Sequence, residues 1–160
     1  VSFEIKDIDR TAGLIAELTV LNAATVKVGV LGDSPKNARH GEEGHATNAL
    51  IAAAHELGTD DIPRRPFLAP AMDKGAKKIT DAQAEMIGKV LDGSMPAEQA
   101  LGLLGELGVS LVKAEIRLGP PPPLNPATAK AKGSSHTLIN SGQMLASVTY
   151  KVVRIGGGGG

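Results

Sequence analysis

A proline run placed directly after a long apolar helix pattern sets the tightest limit on how this chain can fold. Leu101, Leu104, Leu107, Leu111, Val112 and Ile116 recur at helical spacing, and Gly119-Pro120-Pro121-Pro122-Pro123-Leu124-Asn125-Pro126 follows them. Proline has no amide donor, and its ring clashes with the preceding turn, so no helix continues through this point. Residues 119–137 are therefore predicted to form an extended arm, poor in core-forming side chains, that leads to a tight turn and a closing strand. A segment of that length with little to bury is expected to touch something outside its own core. It points to assembly rather than to chemistry.

The rest of the chain must supply a core without aromatic bulk. Of 160 residues, 42% are hydrophobic but only Phe3, Phe67 and Tyr150 are aromatic. Ala, Leu, Ile and Val must do the packing. Few rings also means few platforms for stacked bases, which argues against single-strand nucleic-acid binding. The formal net charge is zero, so no bulk attraction to nucleic acid or to anionic membrane is expected. Cysteine is absent, which leaves no disulfide framework and no thiolate metal site and fits a reducing compartment. No run is long and apolar enough to span a bilayer. Residues 1–20 lack a signal-peptide pattern.

Local patterns predict an α+β fold. Val1, Phe3 and Ile5 alternate with polar residues, as in a half-buried strand. Asp9 precedes a helical pattern over residues 10–22, and residues 25–31 alternate again as a second strand. Residues 32–46 carry Gly, Pro, Asn, His and Glu without an apolar period, and read as a projecting loop. Thr47 is placed to cap a helix that Gly58 ends. Pro63 and Pro66 stiffen the link to a third helix, which runs to about Leu91. Ser94 is expected to cap the fourth helix, which carries Gly102, Gly105 and Gly108 among its leucines. Close helix packing explains that glycine series, with a hinge or an oligomer contact as the alternative. Ser141 is expected to cap one short helical turn before a last strand over residues 147–155. The prediction is a single domain over residues 1–155: a small antiparallel or mixed sheet of three strands, three to four helices, and the arm. Gly156–Gly160 reads as a flexible tail.

Residues with catalytic or metal-binding potential do not fall into working patterns. His40, Glu42, Glu43 and His45 lie close together, but their spacing matches no zinc motif and the glycines between them leave the ligands unorganised. His55-Glu56 starts like a zinc-protease helix but lacks the second histidine one turn on. Ser134, Ser135 and His136 sit in the arm without a nucleophile elbow. The reading is of a non-enzyme with no cofactor. Lys113, Arg117, Lys130 and Lys132 make the end of the long helix and the arm mildly basic. Such cations favour a helix C-terminus, or serve contact with acidic partner surfaces or passing DNA.

Two blocks together carry a family resemblance. The first is His55-Glu56-Leu57-Gly58-Thr59 followed by Ile62-Pro63-Arg64-Arg65-Pro66-Phe67-Leu68-Ala69-Pro70-Ala71. The second is Pro123-Leu124-Asn125-Pro126-Ala127-Thr128 followed by Leu138 to Tyr150, with Asn140-Ser141 where the family pattern has Asp-Thr and Val148 where it has Ile. In order and spacing they resemble the neck, tail-completion and virion-morphogenesis proteins of tailed bacteriophages. The resemblance implies a structural ring, commonly a hexamer, between the portal or head-completion complex and the tail tube or terminator. The protein would be made in the bacterial cytoplasm and sit in the virion, with DNA passing through the lumen in non-specific contact. Subunit or partner contacts would then fall to Arg64, Arg65, Phe67, Pro121, Pro122, Pro123, Leu124, Asn125, Pro126, Lys130 and Lys132. The competing readings are a transient assembly factor and a small metal-binding protein using residues 40–45.

Overall fold

The computed structural model describes residues 6–34, 46–133, 138 and 142–155. Along the chain these form α1 (Lys6–Asn22), β1 (Ala24–Val30), α2 (Asn48–Leu57), α3 (Leu68–Leu91), α4 (Ala97–Leu118), α5 (Pro126–Lys132), α6 (Gln143–Ser147) and β2 (Val148–Arg154). The fold is α+β, as the sequence predicts. The sheet among the described residues has two antiparallel strands, with Ala24 opposite Arg154 and Val30 opposite Val148. The strand expected at residues 1–5, most of the expected loop, Ser141 and the glycine tail lie outside the described residues.

The frame is an α3–α4 hairpin with the β1–β2 ribbon laid across α4. At one end of the hairpin Lys74 donates to Glu115 at 2.6 Å, beside the approach of Gly75 to Leu111. At the other end Val90 packs with Ala97 and Ala100, and Val20 and Leu21 of α1 cover them. The two sets of contacts fix the helices antiparallel. A second, larger core joins Phe67, Val109, Val112, Ile116, Leu138, Met144 and Val148.

The glycines of α4 let the ribbon come close. A Cβ on Gly105 would overlap the Tyr150 ring, and one on Gly108 would lie 2.7 Å from Cγ2 of Val28. Close packing is therefore the right physical reading of the series, but the partner is a strand pair rather than a helix. Helical spacing marks a face, and it carries no information about what lies against that face.

Caps follow sequence in one case and not in another. Thr47 caps α2, its side chain accepting from the Leu50 amide at 3.3 Å. Ser94 does not cap α4: its amide is bonded to Asp92 and its hydroxyl to the Lys89 carbonyl. The first residue outside α4 is Pro96, which has no side-chain acceptor. The Ala97 amide is instead bound by the Glu17 carboxylate of α1, at 2.6 Å. A cap taken from 80 residues away cannot be read from local sequence.

Candidate functional site

The linker between α2 and α3 is a folded device rather than a loose connector. Gly58 has φ 80 and ψ 160, a positive φ that side chains rarely adopt. It is not the left-handed helical conformation expected at a helix stop. Its α-carbon faces Arg64 so closely that an added Cβ would lie 3.1 Å from the Arg64 Cβ. The Ile62 amide donates to the Thr59 hydroxyl at 3.0 Å, and the Thr59 amide donates to the Ile62 carbonyl at 2.9 Å. The turn returns the chain so that the Arg65 amide reaches the His55 carbonyl at 2.7 Å.

Glu56 then closes the link. Its carboxylate accepts from the amides of Phe67 at 2.7 Å, Leu68 at 2.9 Å and Ala69 at 3.2 Å. These are the open donors at the start of α3, where a negative charge is also favoured by the helix dipole. Phe67 itself is 0% exposed. Its ring anchors the link in the core, a burial of about 1.5 to 3 kcal/mol.

The expected contact residues divide into two groups. Phe67 and Arg65 are corrected to internal roles: the phenyl ring is in the core, and Arg65 is 5% exposed. Nε of Arg65 donates to the Pro122 carbonyl at 2.7 Å, and Nη2 to the Pro123 carbonyl at 3.3 Å. Prolines offer carbonyls but no amides, so a guanidinium fork suits this strand of prolines. Arg64 is exposed, and its Nε donates to the Glu56 carbonyl at 3.0 Å. Pro121, Pro122, Pro123, Asn125, Pro126 and Lys130 have exposed side chains, and Leu124 is half-buried.

The extended arm is also corrected. Pro120 is buried and the carbonyls of Pro122 and Pro123 are held by Arg65, so the first part is strapped to its own subunit. The Pro121–Pro122 peptide is cis. Asn125 then caps α5, accepting from the Ala127 amide at 3.0 Å, with Pro126 as the first helical residue. Proline is tolerated there because the first amide of a helix has no partner within it. Lys132 is the last residue of α5. Residues 134–137, with Ser134 and His136, lie outside the described residues, as does the His40–His45 stretch. Among the described residues no group of three or more His, Cys, Asp or Glu could hold a metal, and no helix is long and apolar enough to cross a membrane.

A second feature escaped the sequence. An apolar groove of about 430 Å³ lies beside β1. Ala24, Val26 and Val28 of β1, Met86 and Ile87 of α3 and Leu104 of α4 are among the residues that line it. The sequence marks these side chains as core. Helical periodicity does not say whether a face is filled, and only the packing leaves this one open.

Comparison of the chain with protein-family models, with curated proteins and with solved structures finds no match.

Proposed function

We propose that this protein is a structural, non-enzymatic ring subunit of the neck or tail top of a tailed bacteriophage, joining the head-completion or portal complex to the tail. One observation carries the reading. The two sequence blocks behind the resemblance pack into a single unit: Arg65 of the first grips Pro123 of the second and Pro122 just before it, and Phe67 of the first shares a core with Leu138, Met144 and Val148 of the second. That mutual packing gives both blocks a common structural reason to occur together. Among the described residues, the unit presents the side chains of Pro121, Pro122, Pro123 and Lys130 at its surface. Rings arise from head-to-tail contacts between copies, and such exposed connectors suit them.

The test is mass spectrometry and imaging of purified particles of the phage that encodes the chain. Several copies per particle, localised to the neck or tail top, support the proposal. A protein needed for assembly yet absent from mature particles reassigns it as a transient assembly factor.

A further inference from the structure

The β1–β2 ribbon ends in an unpaired edge that opens onto the apolar groove. The Ile155 amide donates to the Ala23 carbonyl, which makes Ala23–Ile155 a hydrogen-bonded pair. With the observed register, hydrogen-bonded pairs then alternate through Thr25–Val153, Lys27–Lys151 and Gly29–Thr149. The amides and carbonyls of Ala24, Val26 and Val28 must point away from β2. Among the described residues, no backbone group is bonded to them on that side. Ala24, Val26 and Val28 line the groove together with Thr25, and no residue of β2 does. A strand added to this edge would satisfy the backbone and send alternate side chains into an apolar slot.

The chain carries a segment of matching pattern outside the described residues. Val1, Phe3 and Ile5 are apolar at every second position, so in an extended conformation all three share one face. Five residues attached at Lys6 are too few to reach along β1 of the same copy. Ile5 is bonded to Lys6, and Lys6 is separated from Asn22 by the whole of α1, about 24 Å at the α-helical rise. The direction of α1 is fixed by its contacts. Leu21 is at the groove, Glu17 is at the start of α4, and Arg10 donates to the Asp92 carbonyl before α4 begins. Val28, by contrast, packs on Gly108, three turns into α4. The N-terminal end of α1 therefore points away from the ribbon. Five extended residues span at most about 17 Å, and the one nearest α1 cannot leave its end.

We infer that residues 1–5 of one copy add as a third strand to the outer edge of β1 in a second copy, placing Val1, Phe3 and Ile5 in its groove. The contact is heterologous, each copy giving a strand and receiving one, so repetition closes a ring or grows a chain. The inference deepens the ring reading and rests on it. It also keeps the three-stranded sheet predicted from sequence, with its first strand supplied by a neighbour.

The test is light scattering on the full chain and on two half-defective variants. Deletion of residues 1–5 removes the strand and keeps the groove. Val26→Pro removes an outward amide on an edge strand, which the existing ladder does not use, and keeps the strand. Gln83→Trp, at an exposed groove-lining position of α3, is a second way to block the slot if the proline variant loses its circular dichroism spectrum. The wild type is expected to self-associate and each variant to be monomeric. A mixture of the deletion with either groove variant should regain a one-to-one complex, because only one of the two contacts is intact. Wild-type-like association of the deletion variant overturns the exchange while leaving the ring reading standing. So does a mixture that stays monomeric. A wild type monomeric at every concentration also overturns it, and the ring reading is then decided separately by the copies found in particles.

Discussion

Glu56 of α2 and Phe67 at the start of α3 are joined by a 2.7 Å hydrogen bond from the Phe67 amide to the Glu56 carboxylate. The same carboxylate takes the next two amides, so one side chain orients a whole 24-residue helix against the helix before it. Glu56→Ala should destabilise the fold by about 2 kcal/mol, since charge-assisted bonds to helix donors are lost together. Glu56→Gln should recover part of this, because the amide oxygen still accepts. Urea unfolding of the three proteins measures it, and equal stability of wild type and Glu56→Ala would remove the capping role.

Arg65 strapping Pro122 and Pro123 predicts a graded series. Arg65→Ala should cost about 2 to 3 kcal/mol, because both proline carbonyls lose a charged donor in a largely buried place. Arg65→Lys should recover only a fraction, as an ammonium cannot reproduce the planar fork. Amide hydrogen exchange at Ala127 and Ala129, whose amides are bonded to Asn125 just after the strap, should rise in both variants. Unchanged exchange there would show that the strap holds without the arginine.

Two helical glycines should respond in opposite directions to the same substitution. Nothing lies within 4 Å of a Cβ added at Gly88, so Gly88→Ala should stabilise α3 by about 0.5 to 1 kcal/mol. At Gly105 the added methyl meets the Tyr150 ring, and displacing the ribbon should outweigh that gain by about 1 to 3 kcal/mol. Thermal unfolding reads both signs. Combining Gly105→Ala with Tyr150→Ala should recover stability relative to the sum of the single changes.

Asp33 accepts a hydrogen bond from Lys151, and that bond with the attraction of the lysine holds the Asp33 carboxyl below the usual aspartate range. Lys27, directly opposite Lys151 in the ribbon, adds to the effect. A carboxyl depressed in the folded state contributes stability that is present above its unfolded pKa and is lost as pH falls through the folded one. The Asp33 titration followed by NMR should therefore have its midpoint below that of an ordinary aspartate. Lys151→Ala should move it upward and remove the acid-side loss of stability at this pair. An unchanged midpoint would mean the pair does not persist in solution.

The elements whose signals are local were legible in the order of the residues. Apolar spacing placed α3 and α4, Thr47 placed the start of α2, and alternation placed β1, because periodicity and caps act within a few residues. Gly119 and the prolines likewise stop α4 where expected. What these elements do to one another was set by how they pack. Glu17 caps a helix 80 residues away, Arg65 holds prolines 57 and 58 residues away, and Tyr150 rather than a helix fills the space over Gly105. Phe67 and Arg65 read as surface contacts because nothing near them in sequence shows that the arm folds back over the link. Distant pairings depend on the path of the whole chain, and a linear pattern records which faces are apolar but not which surface covers them.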